Sequence, residues 1–251
     1  MTISAVIITH NEAARIAPCI ASVRPVVDEV VVIDSFSSDE TVAIARSAGA
    51  IVHQQAFAGY GQQKNDGAAL ALHPYILSID ADEIISETLA KSILQLKANL
   101  NNDTAPAAVQ FKRLNYVGAR AVITCGWYPD KKIRLYDKRR CCWNERHVHE
   151  TVDTKDHEPV LITGDLLHFS YDDEKDIQKR TEVYALRGAQ AIQRESRFIL
   201  FWKMMVNPVW KGFRSFFMQR GFVDGKLGWV ISRERARETF LKYRWALWPP
   251  A

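Results

Sequence analysis

Three carboxylates fall within four residues at Asp80-Ala81-Asp82-Glu83. Like charges this close repel one another unless a cation shares them. Hard divalent ions take oxygen ligands, and Mg²⁺ commonly uses one or two carboxylates together with substrate phosphates. The chemistry implied is a metal–diphosphate site. The structural alternative is a solvated acidic turn feeding a helix N-terminus, where carboxylates are also favoured. Further on, His147-Val148-His149-Glu150 sets a carboxylate beside two histidines. A carboxylate so placed can be held ionised and aimed at a hydroxyl, so Glu150 reads as a general base, with Asp130 as its rival. A His-x-His-Glu stretch also suggests a metal site, but no helix-spaced His-Glu-x-x-His is present to support one.

These residues need elements to hold them. Tyr75-Ile76-Leu77-Ser78-Ile79 reads as a buried strand, so the acidic tetrad sits at a strand's C-terminal end. Strands are also expected at 3–8, 29–33 and 50–53. Helices are expected at 12–23, 38–48 and 61–72. Such alternation implies a parallel sheet with right-handed crossovers, in which ligands bind at the C-terminal edge. Three polar clusters end strands: Thr9-His10-Asn11-Glu12, Asp34-Ser35 and the tetrad. Each alone could be an ordinary turn or cap. Together they suit a nucleotide, with Asp34 accepting hydrogen bonds from base or ribose and a metal at Asp82 holding phosphates. Neither Gly-x-Gly-x-x-Gly nor Gly-x-x-x-x-Gly-Lys-Ser/Thr occurs, which excludes a dinucleotide site and a P-loop.

The chain has 251 residues, enough for one large domain or one domain with an appendage. Its first apolar run is too short for a signal peptide or a membrane span. The four cysteines form no Cys-x-x-Cys pair and read as ordinary thiols of a reducing cytoplasm. Net charge is +4, but residues 174–251 hold 16 Lys/Arg against 7 Asp/Glu, a balance of +9, so residues 1–173 stand at −5. This basic third is rich in Phe and Trp. It suggests a second job beside that of the more acidic body.

The clusters resemble a known family. Val6-Ile7-Ile8-Thr9-His10-Asn11-Glu12, Val31-Val32-Ile33-Asp34-Ser35-Phe36-Ser37-Ser38-Asp39-Glu40-Thr41 and Ile79-Asp80-Ala81-Asp82-Glu83 are similar, in order and spacing, to the start of an inverting family-2 glycosyltransferase. The resemblance covers about residues 1–170. It implies the GT-A fold, a Rossmann-like α/β nucleotide-sugar-binding domain with a mostly parallel sheet, here at 1–171 with a donor half at 1–105 and an acceptor half at 106–171. It also implies that Asp34 contacts the nucleoside while Thr9, Asn11 and Glu12 line its pocket. Asp80 and Ala81 would lie by ribose or diphosphate, and Asp82 would hold Mg²⁺ or Mn²⁺. Lys64 and Asn65 would approach the donor, the alternative for Lys64 being a solvated helix face. Glu150 stands at a place comparable to the family's catalytic acid residue. His168 would return to the metal or diphosphate, unless it is a satisfied core histidine.

Residues 172–251 read as a helical, basic, aromatic-rich extension. Its apolar stretches are too short to cross a bilayer, yet basic amphipathic helices with aromatics can lie in a membrane interface. Equally, the aromatics could pack on the catalytic domain or on a second subunit. Trp127-Tyr128-Pro129, Val148-His149-Glu150, Leu167-His168-Phe169-Ser170 and Gly221-Phe222-Val223-Asp224-Gly225 resemble the bacterial lipopolysaccharide inner-core β-glucosyltransferases. That resemblance implies UDP-glucose as donor, a lipid-linked saccharide acceptor, and a cytoplasmic enzyme peripheral to the inner membrane. A polyprenyl-phosphate glycosyl synthase is the near alternative. A nucleic-acid-binding protein would account for the tail but leaves Asp82 and Glu150 unexplained.

Overall fold

The computed structural model describes residues 1–101, 104–144, 150–192 and 196–250. The chain forms two compact units, Met1–Arg113 with Asp130–His168, and Leu114–Pro129 with Phe169–Ala251.

The first unit opens with β1 (Ile3–Thr9), α1 (Ile16–Val23), β2 (Glu29–Asp34), α2 (Thr41–Ser47), β3 (Ile51–Gln54), α3 (Tyr60–Leu70) and β4 (Tyr75–Asp80). Then come β5 (Glu83–Ile85), α4 (Glu87–Asn99), β6 (Ala108–Val117), β7 (Arg120–Val122), β8 (Asp130–Asp137), β9 (Cys142–Trp143), β10 (Val152–Asp153) and β11 (Val160–Tyr171). The sheet runs β3-β2-β1-β4-β8-β6-β11-β5. Its first four strands are parallel, as the alternation predicts, and β8 joins β4 antiparallel. The α/β class is therefore as expected, with an antiparallel half added.

The strands read as continuous apolar runs because both faces are covered. Ile3, Ala5 and Ile7 face one core with Ile16 and Ile20 of α1 and Leu89 and Ile93 of α4. Val6 and Ile8 alternate onto the other face, with Val31, Ile33, Ala68 of α3 and Trp143. The first helix begins four residues later than residue 12. Asn11 adopts a left-handed φ of 55°, and the Glu12 carbonyl accepts from the N–H groups of Arg15 and Ile16, both at 2.9 Å, in a turn that precedes the helix.

The second unit holds the end of β6, β7, the end of β11 and three helices: α5 (Glu174–Ala191), α6 (Arg197–Phe213) and α7 (Gly225–Leu247). α5 runs for 18 residues and ends at Ala191. Asp173 caps it, accepting from the Asp176 N–H at 2.9 Å. α7 packs on both α5 and α6. Its Leu227 and Ile231 meet Val117, Val122 and Ile177, and its Tyr243 and Leu247 meet Leu200 and Met204.

Gly67 brings α3 against the sheet. A Cβ there would lie 2.4 Å from Val6 Cγ1 and 2.9 Å from Ile33 Cγ1, both atoms of stiff β-branched core residues. Gly67→Ala gains helix propensity of roughly 0.5–1 kcal/mol, but overpacking costs about 1–3 kcal/mol. The expected outcome is a lower urea midpoint at unchanged m-value.

Candidate active site

The parallel register sets the polar clusters side by side. Thr9 pairs with Asp34 and Ile8 with Asp80, so the C-terminal ends of β1, β2 and β4 make one edge. Asp34 is fully buried; it accepts from the Ser37 N–H at 2.9 Å, from Gln54 Nε2 at 3.0 Å and from the Ser37 hydroxyl. Asn11 ties the neighbouring loops together: its Oδ1 accepts from the Ser38 N–H and its own N–H donates to Ser37 Oγ, each at 2.8 Å. The Glu12 carboxylate lies 3.0 Å from Arg15 Nη1. The Thr9 hydroxyl is buried with no hydrogen-bond partner among the described residues, a polar atom left for something that enters the edge.

The acidic tetrad is divided by its partners. Asp80 ends β4, with Oδ1 2.9 Å from Lys64 Nζ and Oδ2 2.8 Å from Arg134 Nη2. Glu83 is fully buried; its Oε2 accepts from the Asp80 N–H at 3.1 Å, and its Oε1 meets Arg134 at 2.5 Å and Arg113 at 3.5 Å. Burial alone would raise the Asp80 pKa, but Arg134 and then Lys64 outweigh it and hold the carboxyl well below the usual range. Burial likewise opposes the charge on Arg134, and Asp80 and Glu83 reverse that and raise its pKa. Lys64 is not a solvated helix residue: it is buried, its ammonium 4.3 Å above the Trp143 ring.

Asp82 is placed differently. It lies in the tight turn between β4 and β5, with buried Ala81 before it. Its Oδ2 faces His168 Nε2 at 3.3 Å. β11 brings His168 there by pairing it with Glu83. Burial would raise the Asp82 pKa, yet the His168 hydrogen bond and charge overcome it and lower the pKa. His168 is thus directed at the acidic motif rather than satisfied in a core.

Among the described residues no group of three or more His, Cys, Asp or Glu is assembled to hold a metal ion. The donor set still suits one held in part by a ligand. Asp82 and His168 offer a carboxylate oxygen and an imidazole nitrogen, and phosphates and water would have to supply the other ligands of an ion held there.

The remaining expected residues are placed as follows. Asn65 holds the main chain of Trp143, donating to its carbonyl and accepting from its N–H, both at 2.9 Å. Asp130 lies between cations: Oδ2 is 2.7 Å from Arg113 Nη2 and Oδ1 is 3.3 Å from Lys132 Nζ. Glu150 is half-buried, two residues before β10. His147 and His149 lie outside the described residues. Arg134, Arg113 and Trp143 were not singled out from sequence. The signal for the arginines was the tetrad itself, because buried carboxylates demand cations.

A model of glycosyl transferase family 2 matches residues 4–150. An uncharacterized glycosyltransferase of Rickettsia felis is 31% identical across 96% of this chain and 87% of its own length. The lipopolysaccharide core biosynthesis glycosyltransferase LpsC of Rhizobium meliloti is 26% identical across 96% of this chain and 90% of its own. Among solved structures, S. aureus TarS 1-349 in complex with UDP-GlcNAc superposes with a TM-score of 0.48 at 14% identity, covering 98% of this chain and 90% of that one.

Arg134→Met strands Glu83 and Asp80 without their shared cation, and a loss of about 3–5 kcal/mol is expected in urea unfolding at neutral pH. In the wild type, the contribution of the lowered Asp80 pKa is present above the unfolded value, about 3.9, and is lost as pH falls below it. The variant lacks that contribution, so the gap between the two proteins should narrow toward acid pH.

Proposed function

The chain belongs to glycosyl transferase family 2, and from that premise we propose an inverting enzyme that moves glucose from UDP-glucose to a hydroxyl of a lipopolysaccharide core or related lipid-linked glycan. The observation that carries the reading is Asp82 facing His168 on the edge shared by Thr9, Asp34 and Asp80. The nucleoside sits by Asp34, with Thr9, Asn11 and Glu12 lining its pocket. Ribose and diphosphate lie along Asp80 and Ala81, within reach of Lys64. Asn65 serves the donor through the Trp143 backbone that it fixes.

Asp82 and His168 would hold Mg²⁺ or Mn²⁺, which would neutralise charge developing on the leaving diphosphate. The acceptor hydroxyl attacks the anomeric carbon from the face opposite the diphosphate. A new C–O bond forms as the bond to the diphosphate oxygen breaks, and Glu150 takes the hydroxyl proton. Asp130 is the poorer base, because each of its oxygens is already engaged by a cation. One base and one departing group give inversion, unlike glycoside hydrolysis, where an acid must protonate the leaving oxygen.

The name of the Rhizobium relative supports the lipid-linked acceptor. So does the basic, aromatic C-terminal region, which suits a cytoplasmic enzyme peripheral to the inner membrane.

Calorimetric titration with UDP, UDP-glucose, GDP-mannose and ADP-heptose, each with Mn²⁺ or with EDTA, tests the donor. UDP and UDP-glucose should bind only with metal, and silence from all four ligands would overturn the reading. Asp82→Ala should abolish both metal-dependent binding and turnover. Glu150→Gln should cut turnover by about 10²–10⁴-fold while donor affinity stays close to wild type; near-normal turnover would remove Glu150 as the base.

A further inference from the structure

α6 is apolar on both sides. Leu200, Met204 and Pro208, spaced by four, are buried and form its inner stripe. The outer side carries Phe198, Trp202, Met205, Val206, Val209 and Trp210, all exposed, with Phe198 at 72% and Val209 at 73%. A surface helix ordinarily shows water a wide polar face, but α6 keeps only the narrow stripe Lys203, Asn207 and Lys211 for that purpose and leaves a second apolar face exposed. The exposed surface continues beyond α6 through Phe213, Phe217, Phe222 and Trp229. Some of these rings pack on one another, with Phe213–Phe217 centroids 5.0 Å apart and Phe216–Trp229 5.6 Å apart. Contiguous exposed apolar surface of this extent marks an interaction site.

The charge pattern identifies the occupant. Between Arg197 and Val223 the sequence has five Lys/Arg and no Asp or Glu. Lys211, Arg214 and Arg220 are exposed. A two-fold dimer would press this surface against itself and set cations against cations. An anionic bilayer offers the complement: acyl chains for the aromatic face and headgroup phosphates for the flanking cations. Among the described residues no helix is long and apolar enough to cross a membrane, so the helix must lie in the interface rather than span it.

We propose that the outer face of α6, continued through Phe217, Phe222 and Trp229, seats the protein on an anionic lipid surface. This deepens the reading of a lipid-linked acceptor and rests on it for why a bilayer is the partner.

The test is co-sedimentation of the full chain with vesicles of phosphatidylcholine alone and of a phosphatidylcholine–phosphatidylglycerol mixture, at low and high salt. Binding to the anionic vesicles should exceed binding to the neutral ones by about tenfold or more and weaken with salt. The double variant Trp202→Glu, Val209→Glu should lose about tenfold in vesicle affinity, each buried apolar group being lost to the interface, while UDP-glucose binding stays as in wild type. Should that variant fail to fold, Lys211→Glu with Arg214→Glu tests the charge half, with the same expected loss on anionic vesicles. Wild-type protein that ignores anionic vesicles, or variants that bind them undiminished, would overturn the proposal. A concentration-dependent dimer in light scattering without vesicle binding would also overturn it and assign the face to a second copy. Loss of donor binding with vesicle binding intact would count against the proposed function alone.

Discussion

The acidic edge depends on one buried guanidinium. Asp80 and Glu83 set two carboxylates side by side, and Arg134 bridges them at 2.8 and 2.5 Å. That bridge fixes much of the surrounding sheet. Leu77 pairs with Leu135, so Arg134 is the next residue toward the edge on β8. A slip of one residue would turn its side chain to the opposite face and leave two carboxylates bare. The partner strand is constrained in turn, because Arg113 on β6 pairs with Asp130 and also reaches Glu83. A chain of alternating charges therefore runs Lys64, Asp80, Arg134, Glu83, Arg113, Asp130, and it joins α3 to β4, β5, β6 and β8.

This network divides labour within the tetrad. Lys64, Arg134 and Arg113 balance Asp80, Glu83 and Asp130 by formal charge, and Asp82 is left over with an imidazole as its neighbour. A diphosphate placed beside the Asp82 carboxylate would be repelled by it, and a divalent ion between them would relieve that repulsion. That supports a divalent ion at Asp82 on electrostatic grounds.

Much of this was legible in the chain because strand chemistry is local. The β-branched runs, the polar residues that end them and their order placed Thr9, Asp34 and Asp80 on one edge before any coordinates. Arg134 was hidden because its meaning is non-local: in sequence it is one polar residue of an alternating strand, and only the β4–β8 pairing gives it partners. The partner of Asn65 was hidden for a similar reason, since its amide meets a main chain 78 residues away. The antiparallel half of the sheet was less legible beyond the alternation in β8, because the long β6 and β11 depend on pairing across the sheet. Residues 114–129 carry no compositional mark that they fold with the C-terminal helices.

The tail shows the opposite limit. Its composition was plain, but composition cannot say which side of a helix is covered. In α6 the stripe at Leu200, Met204 and Pro208 and the face around Trp202 and Val209 are both apolar, so periodicity gives no single buried direction. The first packs against Tyr243 and Leu247 of α7, while the face around Trp202 and Val209 stays exposed. Exposed aromatics of this number are a liability in water unless something else meets them, which is the ground of the lipid-surface proposal. The charge split of the chain then has a physical reading. Under the proposed function the more acidic residues 1–173 hold the site for a divalent cation and the basic residues 174–251 carry a surface suited to phosphates, each of the sign opposite to its proposed partner.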